Sequence, residues 1–317
     1  MARQPTIEWQ VCGTCNYDCS YCIQSKVYRV GHPSPEQVEQ FLQFFAQLPK
    51  RFEIKMTGGE PFAFRGFMER IIPGLIERTP HTISVLTNLS APLPIIERFA
   101  SLTQGRLGVV SASLHLEFTS PESFVEKATL LRDKLDPRAH LTVNTVLVPG
   151  RLAAVLAARK IVESAGLQLF PQIMKLGAGT ASYSEEDQAI IRELVGKTPT
   201  PDRANMAPSY KGRVCYAGVD YLVLLQNGDG FSCRTARRFK QGFLGNVFAG
   251  TLKRWESASP CPYDICPCTV PANRGMIEGI SAAQRKYQEG ISVSDEESIP
   301  KESFVPLSRL HSGGLLG

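Results

Sequence analysis

The residues best suited to chemistry are Cys15, Cys19 and Cys22, in the run Cys15-Asn16-Tyr17-Asp18-Cys19-Ser20-Tyr21-Cys22. Intervals of three and two residues let three thiolates curl round one face of an iron–sulfur cube. Electron-carrying [4Fe–4S] clusters close all four irons with cysteine, but no fourth cysteine sits at matching spacing. Three ligands leave one iron open, and an open metal position is where chemistry occurs. Cys12, at the end of an apolar strand pattern, reads as a buried thiol, because free cysteine packs as a small hydrophobe. The rival reading is a zinc site or redox thiols. Zinc motifs usually come as two matched pairs, and no such pair with histidine partners lies nearby.

Elements must hold that loop. From Thr6 to about Lys175 the pattern alternates strand and helix. Strands are expected at Thr6–Val11, Phe52–Met56, Thr82–Thr87, Leu107–Leu114, Leu141–Val148 and Leu167–Met174. Helices fall between them at Pro35–Leu48 (with Ser34 as N-cap), Phe64–Glu77, Leu93–Ser101, Pro121–Leu135 and Leu152–Ala165. Six such units predict an α/β fold, a partial (β/α)6 barrel of parallel strands. Active sites of parallel barrels lie at the strand C-terminal ends. The cysteine loop follows the first strand, and Gly58-Gly59-Glu60-Pro61 follows the second.

Cys-x3-Cys-x2-Cys with an aromatic residue before the last cysteine, here Tyr21, resembles the signature of the radical S-adenosylmethionine (radical SAM) enzymes. Gly58-Gly59-Glu60-Pro61 resembles that family's GGEP motif. The resemblance implies a [4Fe–4S] cluster on Cys15, Cys19 and Cys22 whose open iron chelates S-adenosylmethionine. One electron then breaks the sulfonium bond and releases a 5′-deoxyadenosyl radical. It also implies that Gly58, Gly59 and Glu60 bind the methionyl amino group and that Tyr21 lies near the adenine, although a core aromatic is the plainer reading of Tyr21. Ser111 and Ser113 share one face of the fourth strand, and Ser113 stands where the family often uses a serine for ribose or carboxylate. His115 and Glu117 follow with the same parity, placed either to touch substrate and pass protons or as a solvated loop. Asn88 and Asn144 are polar residues in apolar strands: each is either a cofactor contact or, respectively, a turn cap and a satisfied amide. Gln172 and Lys175 are weaker candidates, and His32 belongs to a breaker-rich loop.

A second cysteine group, Cys215, Cys233, Cys261, Cys266 and Cys268, begins after a connector. The connector holds one helix, Ser184–Val195, and the breaker run Thr198–Pro201. Tyr221–Leu225 meeting Asn227-Gly228-Asp229-Gly230 predicts a β-hairpin, and Thr251–Glu256 a short helix. Cys215-Tyr216-Ala217-Gly218, the Gly230–Cys233 turn, Gly245-Asn246 and the closing cysteines resemble the twitch form of the SPASM domain. That resemblance implies one auxiliary [4Fe–4S] cluster on four of the five cysteines, with one of Cys261, Cys266 and Cys268 spare. A structural zinc bound by four thiolates is the alternative. The expected divisions are a barrel domain over 1–180, a connector over 181–210, an auxiliary domain over 211–290, and an aperiodic tail, free or a lid, over 291–317.

The chain has 317 residues, 43% of them apolar, enough for one large or two modest domains with a real core. The net charge of +5, from 35 basic and 30 acidic residues, is spread along the chain and gives no argument for nucleic acid. No apolar run suits a signal peptide or a membrane span, so a cytoplasmic protein without structural disulfides is expected. The resulting expectation is an oxidoreductase or epimerase served by a flavodoxin or ferredoxin. Its substrate is a small metabolite such as a sugar, aminocyclitol or nucleoside, because the motif starts too early for a leader-binding domain ahead of it. A maturase of a ribosomally made peptide is the alternative. From another class, so is a non-catalytic iron–sulfur electron carrier, against which a cofactor cleft argues.

Overall fold

The computed structural model of the protein describes residues 3–24, 31–177, 179–195, 201–280 and 304–310. Six parallel strands, β1 (Thr6–Cys12), β2 (Glu53–Gly58), β3 (Thr82–Thr87), β4 (Leu107–Ser113), β5 (His140–Leu147) and β6 (Leu169–Ile173), lie side by side in chain order. Helices α1 (Pro35–Ala46), α2 (Ile72–Arg78), α3 (Leu93–Leu102), α4 (Pro121–Lys134) and α5 (Leu152–Ser164) make the crossovers. This is the α/β partial barrel that the strand–helix pattern predicts.

Period-two alternation assigns the two faces of each strand. On β1, Ile7, Trp9 and Val11 are fully buried against α1, where Trp9 meets Phe41 and Phe45 at ring-centroid distances of 4.7 and 5.1 Å. The intervening Glu8 and Gln10 face a cavity inside the barrel. Helix α1 starts where Ser34 accepts from the Gln37 N–H and Gln37 Oε1 accepts from the Ser34 N–H, a reciprocal cap that leaves Val38, Phe41, Leu42 and Phe45 on the buried face.

Two helices expected from the pattern are different in the structure. Phe64–Glu77 is not one α-helix: Phe67–Ile71 is a π turn leading into α2, and the Ile72 N–H donates to Phe67 O. Pro73 lacks the N–H that a regular ladder needs, and the widened turn absorbs that loss. Thr251–Glu256 is not helical. There the Lys253 N–H donates to Leu244 O and the Trp255 N–H to Gly218 O, so cross-chain partners take the donors a helix would use.

Beyond the barrel come β7 (Lys175–Leu176), β8 (Gly179–Thr180), α6 (Glu185–Val195), α7 (Pro201–Ala204), β9 (Met206–Pro208) and β10 (Val214–Cys215). The hairpin is present as β11 (Tyr221–Leu224) and β12 (Asp229–Phe231), followed by α8 (Arg234–Arg238) and β13 (Phe243–Asn246). β11 pairs in parallel with β1, so these strands extend the barrel sheet to nine among the described residues, in the order β13-β12-β11-β1-β2-β3-β4-β5-β6. β14 (Ser259–Pro260) pairs with β10, and α9 (Thr269–Asn273) follows. Of the expected tail, Phe304–Pro306 (β15) pairs with β9, and buried Leu307 lines the cavity. Residues 291–303 and 311–317 of that tail, and residues 198–200 of the breaker run, lie outside the described residues. Among those described, no helix is long and apolar enough to cross a membrane.

Arg274, next after α9, reaches back to β2: its Nε lies 2.8 Å from Glu53 Oε2 and its Nη2 donates to Oε1 at 2.9 Å. The Glu53 carboxylate, almost wholly buried, also accepts from Ser84 and Thr6. Truncating one partner of a buried ion pair strands the other charge. Glu53→Ala is therefore expected to lower stability by about 3–5 kcal/mol, read as a shift of the urea midpoint at unchanged slope.

Candidate functional site

The cysteine loop is seated on the glycine turn after β2. The Gly59 N–H donates to Cys12 O at 2.9 Å, and the Glu60 N–H to Thr14 O at 2.8 Å. A Cβ on Gly59 would overlap the Thr14 carbonyl, and one on Gly58 the Cys12 carbonyl. Both glycines also line the cavity, but their missing side chains first make room for the cysteine loop itself. Cys12 is fully buried beneath this junction, where burial and then the Glu60 carboxylate push its thiol up to about 12.

The Glu60 side chain turns to the end of β3. Its carboxylate accepts from Thr87 Oγ1 (2.7 Å), the Asn88 N–H (2.6 Å) and the Phe62 N–H (3.1 Å). Burial raises its pKa to about 7, against the pull of these donors. Asn88 is the turn cap of the sequence reading and more: its Oδ1 accepts from the Ser90 N–H, and its Nδ2 donates to Asn16 Oδ1 in the cysteine loop at 3.0 Å.

Cys15, Cys19 and Cys22 open on one cavity of about 1400 Å³, together with Tyr21, Gly58, Gly59, Glu60, Asn88, Ser113, His115 and Asn144. Burial, then the charges of Cys15 and Cys22, push the Cys19 thiol up to about 11. Three thiolates meeting in a half-buried place repel one another, and a cationic metal centre relieves that repulsion. The donor set therefore fits the iron–sulfur cluster that the resemblance implies. Among the described residues no three His, Cys, Asp or Glu are gathered tightly enough to clasp a single metal ion; a four-iron cube is larger than one ion.

His115 and Glu117 have different surroundings. His115 lines the cavity, its Nδ1 2.8 Å from Tyr21 Oη and 3.5 Å from Cys19 Sγ. Burial holds the imidazole below the ordinary histidine value, against the opposing charge of Glu117. Glu117 does not line the cavity. It accepts from the Ser20 N–H (2.8 Å), Ser20 Oγ (2.5 Å) and Arg151 (3.0 Å), and so holds the cysteine loop from outside.

On β4–β6 the cavity wall is mixed, with a polar row among apolar residues such as Val146 and Phe170. Asn144 donates to Ser111 Oγ at 2.8 Å and accepts from Gln172 Nε2 at 3.1 Å, forming a row across three strands beside Ser113 and Thr142. Asn144 is thus a satisfied amide that still faces the cavity. Lys175 lines the same space, and His32 stacks on Phe64 with centroids 4.5 Å apart.

The opposite wall holds a group the sequence reading did not single out. Glu8 forms a two-pronged ion pair with Arg234, at 2.8 and 3.0 Å, and accepts from the Tyr221 hydroxyl. The available signal was a carboxylate on the inward parity of an apolar strand. Cys268 Sγ lies 3.8 Å from that hydroxyl and 4.0 Å from Glu8 Oε2. Cys268 also stays close to the rest of its group, with Cys266 Sγ 3.8 Å from Cys268 O. Cys261 and Cys266 pack in one apolar cluster with Cys215, while Cys233 caps α8, accepting from the Ala236 N–H at 3.2 Å. Burial, then Cys215 and Cys261, push the Cys233 thiol up to about 12. Cys266, which also lines the cavity, is raised well above the usual thiol range by burial and then by all four of the others.

Residues 9–151 match the family model of the Radical SAM superfamily, so this part of the chain is a radical SAM domain. No curated protein matches the sequence. Among solved structures, the chain is similar to native anSMEcpe with bound AdoMet and Kp18Cys peptide: 15% identity over 78% of this chain and 79% of that one, TM-score 0.53. It is also similar to SuiB of Streptococcus suis bound to precursor peptide SuiA: 12% identity over 80% of this chain and 64% of that one, TM-score 0.52. These likenesses establish the fold. BtrN in complex with AdoMet and 2-DOIA aligns over 92% of this chain and 89% of that one at 13% identity, with a TM-score of 0.44.

Two outcomes test the glycine turn. Gly59→Ala is expected to abolish cluster loading after anaerobic reconstitution, because its Cβ displaces the cysteine loop; iron content of the purified variant measures this. Glu60 titrates near 7 in the folded chain against an ordinary 4.5. Between those values the folded chain keeps a proton that the unfolded chain releases. The Glu60 contribution to apo-protein stability therefore falls as pH rises through the window, by at most about 1.4 kcal/mol per pH unit. Urea titrations should show this share of the slope in the native sequence and not in Glu60→Gln.

Proposed function

We propose that the protein is a radical SAM enzyme with two [4Fe–4S] clusters, acting on a small polar metabolite. The observation that carries this reading is one cavity lined by Cys15, Cys19 and Cys22 and also by Cys266 of the second group. When bound, the first cluster supplies the electron that cleaves S-adenosylmethionine, and the resulting 5′-deoxyadenosyl radical takes a hydrogen atom from a substrate C–H bond. The chain's own residues hold and shape the site. Glu117 and the glycine turn fix the cysteine loop, while Gly58, Gly59, Glu60, Ser113 and Asn144 border the cofactor's space. The row Ser113, Thr142, Asn144 and Gln172 offers hydroxyl and amide partners suited to a polyhydroxylated substrate.

For the second cluster we assign Cys215, Cys233, Cys261 and Cys266 as ligands and Cys268 as the spare thiol. Support comes from the packing of Cys261 and Cys266 with Cys215, from the charges of Cys215 and Cys261 on Cys233, and from the contacts of Cys268 with the Tyr221 hydroxyl and Glu8. Four cysteines close all irons, so this cluster's work is electron transfer, which suits a net oxidation of the substrate. A flavodoxin- or ferredoxin-type protein is the proposed electron donor to the first cluster.

Reconstituted protein is expected to contain about eight irons per chain. Cys268→Ser should keep that content, whereas Cys233→Ser should retain about half of it. With dithionite and S-adenosylmethionine, the protein should release 5′-deoxyadenosine; none formed would mean an electron carrier instead. Deuterium reaching 5′-deoxyadenosine from a labelled sugar or aminocyclitol supports the small-molecule reading, and label arriving only from a peptide overturns it.

A further inference from the structure

Cys19 has a polar side-chain pair beside its sulfur. His115 Nδ1 lies 3.5 Å from Cys19 Sγ, the Tyr21 hydroxyl lies 2.8 Å from the same nitrogen, and Tyr21 pulls the Cys19 thiol down against its burial. The two contacts meet at the one imidazole nitrogen. Their geometry is held by stacking: the Tyr21 ring lies against the imidazole with centroids 5.8 Å apart at 20°. The Tyr17 ring also meets the imidazole edge-on at 6.0 Å and is itself stacked on Phe118 at 4.6 Å. The backbone is fixed as well, since His115 O accepts from the N–H groups of Phe118 and Thr119. The imidazole thus has little freedom to turn away.

Protonation roles follow from the sulfur. A cysteine bound to iron is a thiolate and can only accept. For both neighbours to donate to the sulfur, the Tyr21 hydroxyl must point at Sγ and His115 must carry its proton on Nδ1, directed at Sγ and the tyrosine oxygen. Reduction adds one negative charge to the cluster. Donors aimed at a ligand sulfur stabilise the reduced form more than the oxidised form, and so raise the reduction potential.

We propose that His115 and Tyr21 act together as a donor pair on the Cys19 sulfur that sets the reduction potential of the first cluster. His115 is on this view a positioning residue that works through Cys19 and carries no substrate proton. The inference rests on Cys19 being a cluster ligand, as proposed above.

The test is a redox titration of full-length reconstituted protein, followed by electron paramagnetic resonance, for the native sequence and for His115→Leu, His115→Gln and Tyr21→Phe. S-adenosylmethionine, which perturbs the signal of the open cluster, identifies which signal is being followed. His115→Leu is expected to lower the reduction equilibrium constant of the first cluster about tenfold, which is 59 mV for one electron. Tyr21→Phe should lower it several-fold, His115→Gln, which keeps a donor, should recover most of the loss, and the second cluster should not shift in any variant. An unchanged first-cluster potential in His115→Leu at full iron content overturns the proposal. If His115→Leu cannot hold the cluster, Tyr21→Phe decides, since it removes a hydroxyl alone: no shift overturns the proposal and a several-fold shift upholds it. Should the native protein bind no cluster on Cys15, Cys19 and Cys22, the failure belongs to the underlying reading, and iron analysis shows it before any titration.

Discussion

The site depends on one close approach, the seating of the cysteine loop on Gly58-Gly59. Two backbone bonds, Gly59 to Cys12 and Glu60 to Thr14, carry the end of β1 onto the turn that ends β2. They form only where no side chain intervenes, and any Cβ at Gly59 would occupy the space of the Thr14 carbonyl. Glu60 extends the same junction to a third strand, because its buried carboxylate binds Thr87 and Asn88. Asn88 in turn holds Asn16, back within the cysteine loop. Three strand ends and one loop are therefore locked into a ring, and the thiols inherit their placement from it.

The cysteine-rich part is fastened to this frame by strand pairing and by buried charge. β11 continues the sheet beside β1, Arg234 grips Glu8 from within the barrel, and Arg274 grips Glu53 on β2. Buried ion pairs are poor sources of net stability, since desolvation offsets most of their attraction. They are demanding about geometry, however. Two carboxylates on adjacent strands, each with its own guanidinium, leave few alternative ways to dock the segment that carries Cys215 to Cys268. The spacing between the two cysteine groups is set by that docking.

Legibility in the sequence followed the range of the signal. The six strands and the Ser34 cap were readable because side-chain periodicity and capping act over a few residues. Phe64–Glu77 was misread for a local reason, a proline at position 73, and Thr251–Glu256 for a longer-range one, backbone donors claimed by Leu244 and Gly218. Shared parity suggested a common role for His115 and Glu117. One faces the cavity and the other clamps Ser20 from outside, because the chain leaves β4 before Glu117 and alternation ends with the strand.

By itself the sequence determined the chemistry available: three thiols at cluster spacing, a glycine turn after the second strand, and five more cysteines before and after a hairpin. Such features are local, written in spacing and residue type. Only the tertiary structure decided which groups meet. Tyr21 and His115 are 94 positions apart, and Glu8 and Arg234 are 226 apart. Their encounters come from the closing of the sheet, and no periodicity along the chain records which side chains that closure brings face to face.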